Sequence, residues 1–101
     1  MAHEVVFTPQ ARDDLIGLYR YIASRSGRER ARGYIDRIED YCRGFADFPE
    51  RGTRRDDLWP GLRIVGFERT ITIAFHIAAH RVVIGRVLYG GRTPGHGTDS
   101  P

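Results

Sequence analysis

Residues 70–89, TITIAFHIAAHRVVIGRVLY, decide the fold. Ile71, Ile73, Phe75 and Ile77 alternate with Thr70, Thr72, Ala74 and His76, a period of two that marks a half-buried strand. The Ala-Ala-His segment at 78–80 turns the chain. Residues 81–89 are apolar on both faces, the pattern of an interior strand. Upstream, Leu62, Ile64 and Gly66 alternate with Arg63, Val65 and Phe67 to give another strand. Glu68-Arg69 is a poor turn pair by residue type, so the pattern leaves the register between these two strands open.

N-terminal to this region the apolar period lengthens from two to 3.6. Glu4 to Phe7 reads as a short strand, followed by Thr8 as a helix cap and Pro9 at the first helical position. Ala11, Leu15, Leu18, Tyr19, Ile22 and Ala23 then share one helical face, with Arg12, Asp13 and Arg20 on the wet side. Ser26 with Glu29 has the capping-box form and starts a second helix, whose stripe is Ala31, Ile35, Ile38, Cys42 and Phe45. Glu39 and Arg43 are spaced for an i,i+4 pair. Helices over about residues 9–24 and 27–46 with so short a link are antiparallel neighbours. Residues 47–61, rich in Pro, Gly and charge, read as a loop.

The expected class is therefore α+β, in the order β-α-α-β-β-β. A helical hairpin packs on one face of a mainly antiparallel sheet and leaves the other face partly open. Residues 1–91 form a single domain, and 92–101 a flexible tail.

Composition limits the function classes. A 101-residue chain with 41% hydrophobic residues builds one core without disulfides. The single cysteine, Cys42, reads as a buried thiol and implies a reducing, cytoplasmic home. No apolar run is long enough to span a membrane and no export signal opens the chain. All 16 basic residues are arginine, as a GC-rich genome would give, and the net charge of +3 favours acidic partners.

No cofactor is expected. His76 and His80 lie four apart on a strand and a turn, where that spacing does not converge on a metal, and no glycine-rich phosphate loop precedes a helix. No catalytic set of serine or cysteine with histidine and acid is spaced for nucleophilic chemistry. The contact candidates are Trp59, Arg63, His76, Arg86, Tyr89 and Arg92. Alternation sets Arg63, Thr72 and His76 opposite the core face, on the sheet surface the helices leave bare; the face of Arg86 stays open. Arg86 either covers apolar surface and pairs with an acid, or marks a working site.

Four segments carry a family resemblance: FTPQARDDLIGLYRYIA at 7–23, RGTRRDDLWPGLR at 51–63, ITIAFHI at 71–77 and VVIGRVLYGGR at 82–92. In order and spacing they resemble the ParE branch of the RelE/ParE toxins of type II toxin–antitoxin modules, over roughly residues 4–92. The resemblance implies a toxin that inhibits DNA gyrase and is neutralised by an acidic, ParD-like antitoxin. The alternative in the same superfamily is a RelE-like, ribosome-dependent messenger-RNA endonuclease, and the third is an inactive or repurposed member. Direct nucleic-acid contact is expected only under the nuclease reading.

If the chain were a nuclease, the resemblance would assign catalysis to Arg63, Arg86 and Tyr89. Arg63 matches the arginine after Gly-Leu in both branches, and Arg86 the late-strand arginine. Tyr89 stands where ParE-like chains commonly carry histidine. The basic loop of the nucleases is matched only loosely by Arg54 and Arg55, and their His-Tyr ending is missing.

Overall fold

The computed structural model describes residues 2–90. Its elements are β1 (Glu4–Phe7), α1 (Pro9–Ser26), α2 (Arg28–Arg43), a 3-10 turn (Gly44–Ala46), β2 (Thr53–Arg54), β3 (Arg63–Phe67), β4 (Ile71–Ala78) and β5 (Arg81–Tyr89). The five strands lie in the order β1-β5-β4-β3-β2. β1 runs parallel to β5, and every other neighbour is antiparallel.

Thr8 caps α1: its Oγ1 accepts from the Ala11 amide at 3.1 Å and donates to the Gly85 carbonyl at 3.0 Å. One side chain thereby closes the helix end and ties it to β5. The second helix does not begin as its capping-box pattern implies. α1 runs on through Ser26, and Gly27, at φ 94°, ends one helix and starts the next with no side-chain cap. That left-handed conformation suits a residue without a Cβ, which lets the link shrink to a single residue. Glu29 remains in the first turn of α2, where its charge complements the helix dipole. Arg43 pairs with Asp40 at 2.6 Å rather than with Glu39.

The stripes meet as spaced. Ala11, Leu15 and Leu18 of α1 and Ile38, Cys42 and Phe45 of the α2 end form one cluster with Ile71, Ile73, Phe75, Val82, Ile84 and Val87. Phe45 and Phe75 sit at its centre, ring centroids 4.7 Å apart. The loop at 47–61 holds a strand that its composition did not announce. Thr53 and Arg54 pair with Ile64 and Arg63, and Gly52, at φ 75°, lies where a Cβ would run into the Ile64 carbonyl.

Candidate functional site

The β3–β4 ladder moves Arg63 away from its expected surface. Arg63 is opposite Phe75 and Val65 opposite Ile73. Directly opposed residues share a face, so Arg63 belongs to the core side and not with Thr72 and His76. Its Nη1 donates to the Arg51 carbonyl at 3.3 Å, while the Arg51 guanidinium lies over the rings of Tyr41 and Phe45 at 5.4 and 5.2 Å. The register comes from the turn at Glu68-Arg69, both in the left-handed region at φ 46° and 66°. Two contacts with α2 hold that turn: Arg37 forks onto Glu68 at 2.9 and 3.1 Å, and the hydroxyls of Tyr34 and Thr70 meet at 3.0 Å. The Arg37 hydrogen bond keeps the Glu68 carboxyl below its usual pKa.

A bulge in β5 places Arg86. Ala74 is opposite Arg86 but Phe75 is opposite Ile84, so Gly85 is the extra residue. Beyond Ile84, β1 no longer pairs with β5, and α1 packs against that strand. Asp14 accepts from Arg86 Nε at 2.8 Å and Nη2 at 3.0 Å, and from the Val87 amide at 2.9 Å. The two side chains are only 12% and 16% exposed. By register Arg86 falls on the outer face with Ala74, yet its guanidinium reaches Asp14 of α1. Arg86 is the ion-paired arginine of the two readings left open.

Sequence reasoning missed Asp14. The signal was present: Asp14 falls between Ala11 and Leu18 at spacings of three and four, an acid set into an apolar stripe. Two turns on, Tyr21 meets Tyr89 with ring centroids 5.5 Å apart. An open cleft of about 510 Å³ runs beside them, lined by Asp14, Gly17, Leu18, Tyr21, Val87 and Tyr89.

The other candidates scatter. His76, opposite Val83, is half-buried on the outer face. That face is not wholly bare, since Leu62, Ala74 and Leu88 are buried yet lie outside the cluster beneath the helices. Trp59 is 44% exposed on the loop before β3. Arg92 and the tail at 92–101 lie outside the described residues. Arg54 and Arg55, the loose matches to a nuclease's basic loop, each fork onto a carboxylate two residues on: Arg54 onto Asp56 at 3.2 and 3.1 Å, Arg55 onto Asp57 at 3.0 and 2.9 Å. These bonds lower the pKa of both acids, and the Gly61 amide adds to the effect on Asp56. The loop thus neutralises its own charge. Among the described residues no group of three or more His, Cys, Asp and Glu is placed to hold a metal ion.

Arg63, Arg86 and Tyr89 do not converge. Arg63 is level with Phe75 and Tyr89 with Ile71, four residues or about 13 Å along the sheet, with β4 between them. The family model for the ParE toxin of type II toxin–antitoxin systems (parDE) matches residues 5–94.

The chain belongs to the ParE toxin family.

Within that family, Toxin ParE3 of Caulobacter vibrioides is 30% identical over 86 residues, 85% of each chain. A solved chromosomal ParDE toxin–antitoxin system from P. aeruginosa shares the fold with a TM-score of 0.77 at 21% identity, covering 88% of this chain and 97% of that one. The RelBE2 toxin–antitoxin complex of Mycobacterium tuberculosis shares it with a TM-score of 0.63, also at 21% identity, covering 88% of this chain and 99% of the other. The helical hairpin on a mostly antiparallel sheet is therefore common to ParDE and RelBE toxins, and fold alone does not separate their activities. No helix among the described residues is long and apolar enough to cross a membrane.

Proposed function

We propose that this ParE-family chain is a toxin that inhibits DNA gyrase by binding it and is held inactive by a ParD-like antitoxin with an acidic tail. One observation carries the choice over RNA cleavage. The groups a nuclease would need are separated and engaged elsewhere: Arg86 on Asp14, Arg63 on the Arg51 carbonyl, and Tyr89 beside Tyr21. Cleavage by a 2′-hydroxyl requires a base, an acid and fixed cations around one phosphate. A protein that acts by binding needs no such convergence.

The antitoxin partner is supported by family membership and by the surface. Between α1 and α2 lies an open groove of about 420 Å³ lined by Leu15, Ile16, Tyr19 and Ile35 and bordered by Arg12 and Arg32. Ile16 is 49% exposed there. Asp36 and Glu39 share the rim with the two arginines, so it is the apolar anchors that suit a segment folding on binding.

The test is to assay gyrase supercoiling and ribosome-dependent messenger-RNA cleavage with one protein preparation. Loss of supercoiling with intact messenger RNA is expected. Ribosome-dependent cuts with gyrase unaffected would reverse the assignment, and neither effect would point to an inactive member. Antitoxin binding is read separately, by mixing the chain with the product of the adjacent gene.

A further inference from the structure

The arginines are unevenly spread. Residues 20–32 hold five of the 16 arginines and one of the 13 acids, so this segment exceeds the chain's whole net charge of +3 and the remainder is net negative. A GC-rich coding bias explains arginine in place of lysine but not this clustering. The segment is the tip of the helical hairpin: the last turns of α1, Gly27 and the first turn of α2. Among the described residues no ion pair reaches Arg20, Arg25, Arg28 or Arg30, nor, scattered elsewhere, Arg12, Arg51, Arg63 or Arg69, whereas Arg32, Arg37, Arg43, Arg54, Arg55, Arg81 and Arg86 each meet a carboxylate.

We propose that this tip binds the phosphate backbone of double-stranded DNA. Every residue from 24 to 30 is exposed, and none of them is a large apolar side chain. An acidic peptide that orders on binding needs apolar anchors, which this patch lacks; a phosphate backbone needs only cations. Guanidinium forks match phosphate oxygens in pairs. Arg25 lies 4.7 Å from the Tyr21 ring centroid, and Arg30 lines an open groove of about 390 Å³ with Ser26, Tyr34 and Thr70. Nothing in this arrangement reads base edges, so the binding is independent of sequence. Its use, to seat the toxin against DNA held by gyrase, rests on the proposed function; the binding itself does not.

The experiment is fluorescence anisotropy of a labelled duplex with the full chain, titrated from 25 to about 200 mM salt. Micromolar-range binding at low salt is expected, with log affinity falling against log salt at a slope near −3, for three to four phosphates. The triple variant Arg25→Gln, Arg28→Gln, Arg30→Gln should weaken binding on the order of 10-fold or more and flatten the slope by about 2–3. The variant Arg43→Gln, Arg54→Gln, Arg81→Gln loses the same charge from paired sites and should change affinity by less than about threefold. If the tip variant misfolds by circular dichroism, Arg28→Gln alone carries the test, with a slope change near 1. No duplex binding at 25 mM salt, equal losses in both triple variants, or poly-glutamate binding the tip as tightly as DNA would each overturn the proposal. Gyrase inhibition without DNA binding defeats this inference alone, whereas DNA binding without gyrase inhibition supports it and defeats the functional reading.

Discussion

Arg86 is 12% exposed, with two of its nitrogens on Asp14, whereas Arg28, at the hairpin tip, is exposed and meets no acid among the described residues. The same side chain has opposite requirements in these two places. A guanidinium taken out of water must be paired or it costs several kcal/mol, so the fold commits Arg86 to a carboxylate and the charge is used up in architecture. A solvated guanidinium has no such cost and keeps its charge for a partner. The arginine that interrupts an apolar strand is thus tied into the fold by an ion pair. The arginines in a plain surface run keep their charge in solvent.

The largest expected effect breaks the paired side of this contrast. Asp14→Ala removes both Arg86 bonds and the acceptor for the Val87 amide, and should cost about 2–4 kcal/mol in urea unfolding. Arg86→Ala should cost a comparable amount, with the double variant well below the sum. A loss under about 0.5 kcal/mol would make the pair no better than a surface ion pair.

Cys42 reports the same change kinetically. It is fully buried, and burial pushes its thiol up to about 12, with Glu39 adding to the shift. Labelling by a thiol reagent at pH 8 should wait on unfolding, and Asp14→Ala should speed it about 30- to 1,000-fold, the same free energy read as a ratio. Fast labelling of the unmutated chain would place the thiol outside the core.

A smaller effect belongs to the exposed pair that pins the β3–β4 turn. Arg37→Gln should have the small effect of losing one surface ion pair, well below the loss for Asp14→Ala. Because the folded pKa of Glu68 is lowered, this contribution is complete above the unfolded carboxylate value near 4.3 and disappears as pH falls through the folded value. Amide exchange around Thr70 should accordingly rise in acid, and in Arg37→Gln it should already be raised at neutral pH.

The helical hairpin was legible because Ala11, Leu15 and Leu18, and Ala31, Ile38 and Cys42, repeat at the helical period and all are buried. β4 was legible for the same reason at period two, and β5 as a run apolar on both faces. β2 was not, since Thr53 and Arg54 are both exposed and two residues carry no alternation. The face of Arg63 was misread because it depends on a turn whose residues, Glu68 and Arg69, disfavour the left-handed conformation they adopt. What stabilises that turn comes from α2, 31 residues away in the case of Arg37 and Glu68. The Asp14–Arg86 link spans 72 residues, and only Asp14's place in the apolar stripe hinted at it.

Tyr89→Phe tests the central claim, that this chain acts by binding and not by proton transfer. The substitution keeps the ring beside Tyr21 and removes one hydroxyl, a change of about 0.5–1.5 kcal/mol at most. Gyrase inhibition and growth arrest by the Tyr89→Phe protein should stay within about tenfold of the unmutated chain. A folded Tyr89→Phe protein that has lost all toxicity, together with a 10²–10⁴-fold loss of messenger-RNA cleavage measurable in the unmutated chain, would contradict the account.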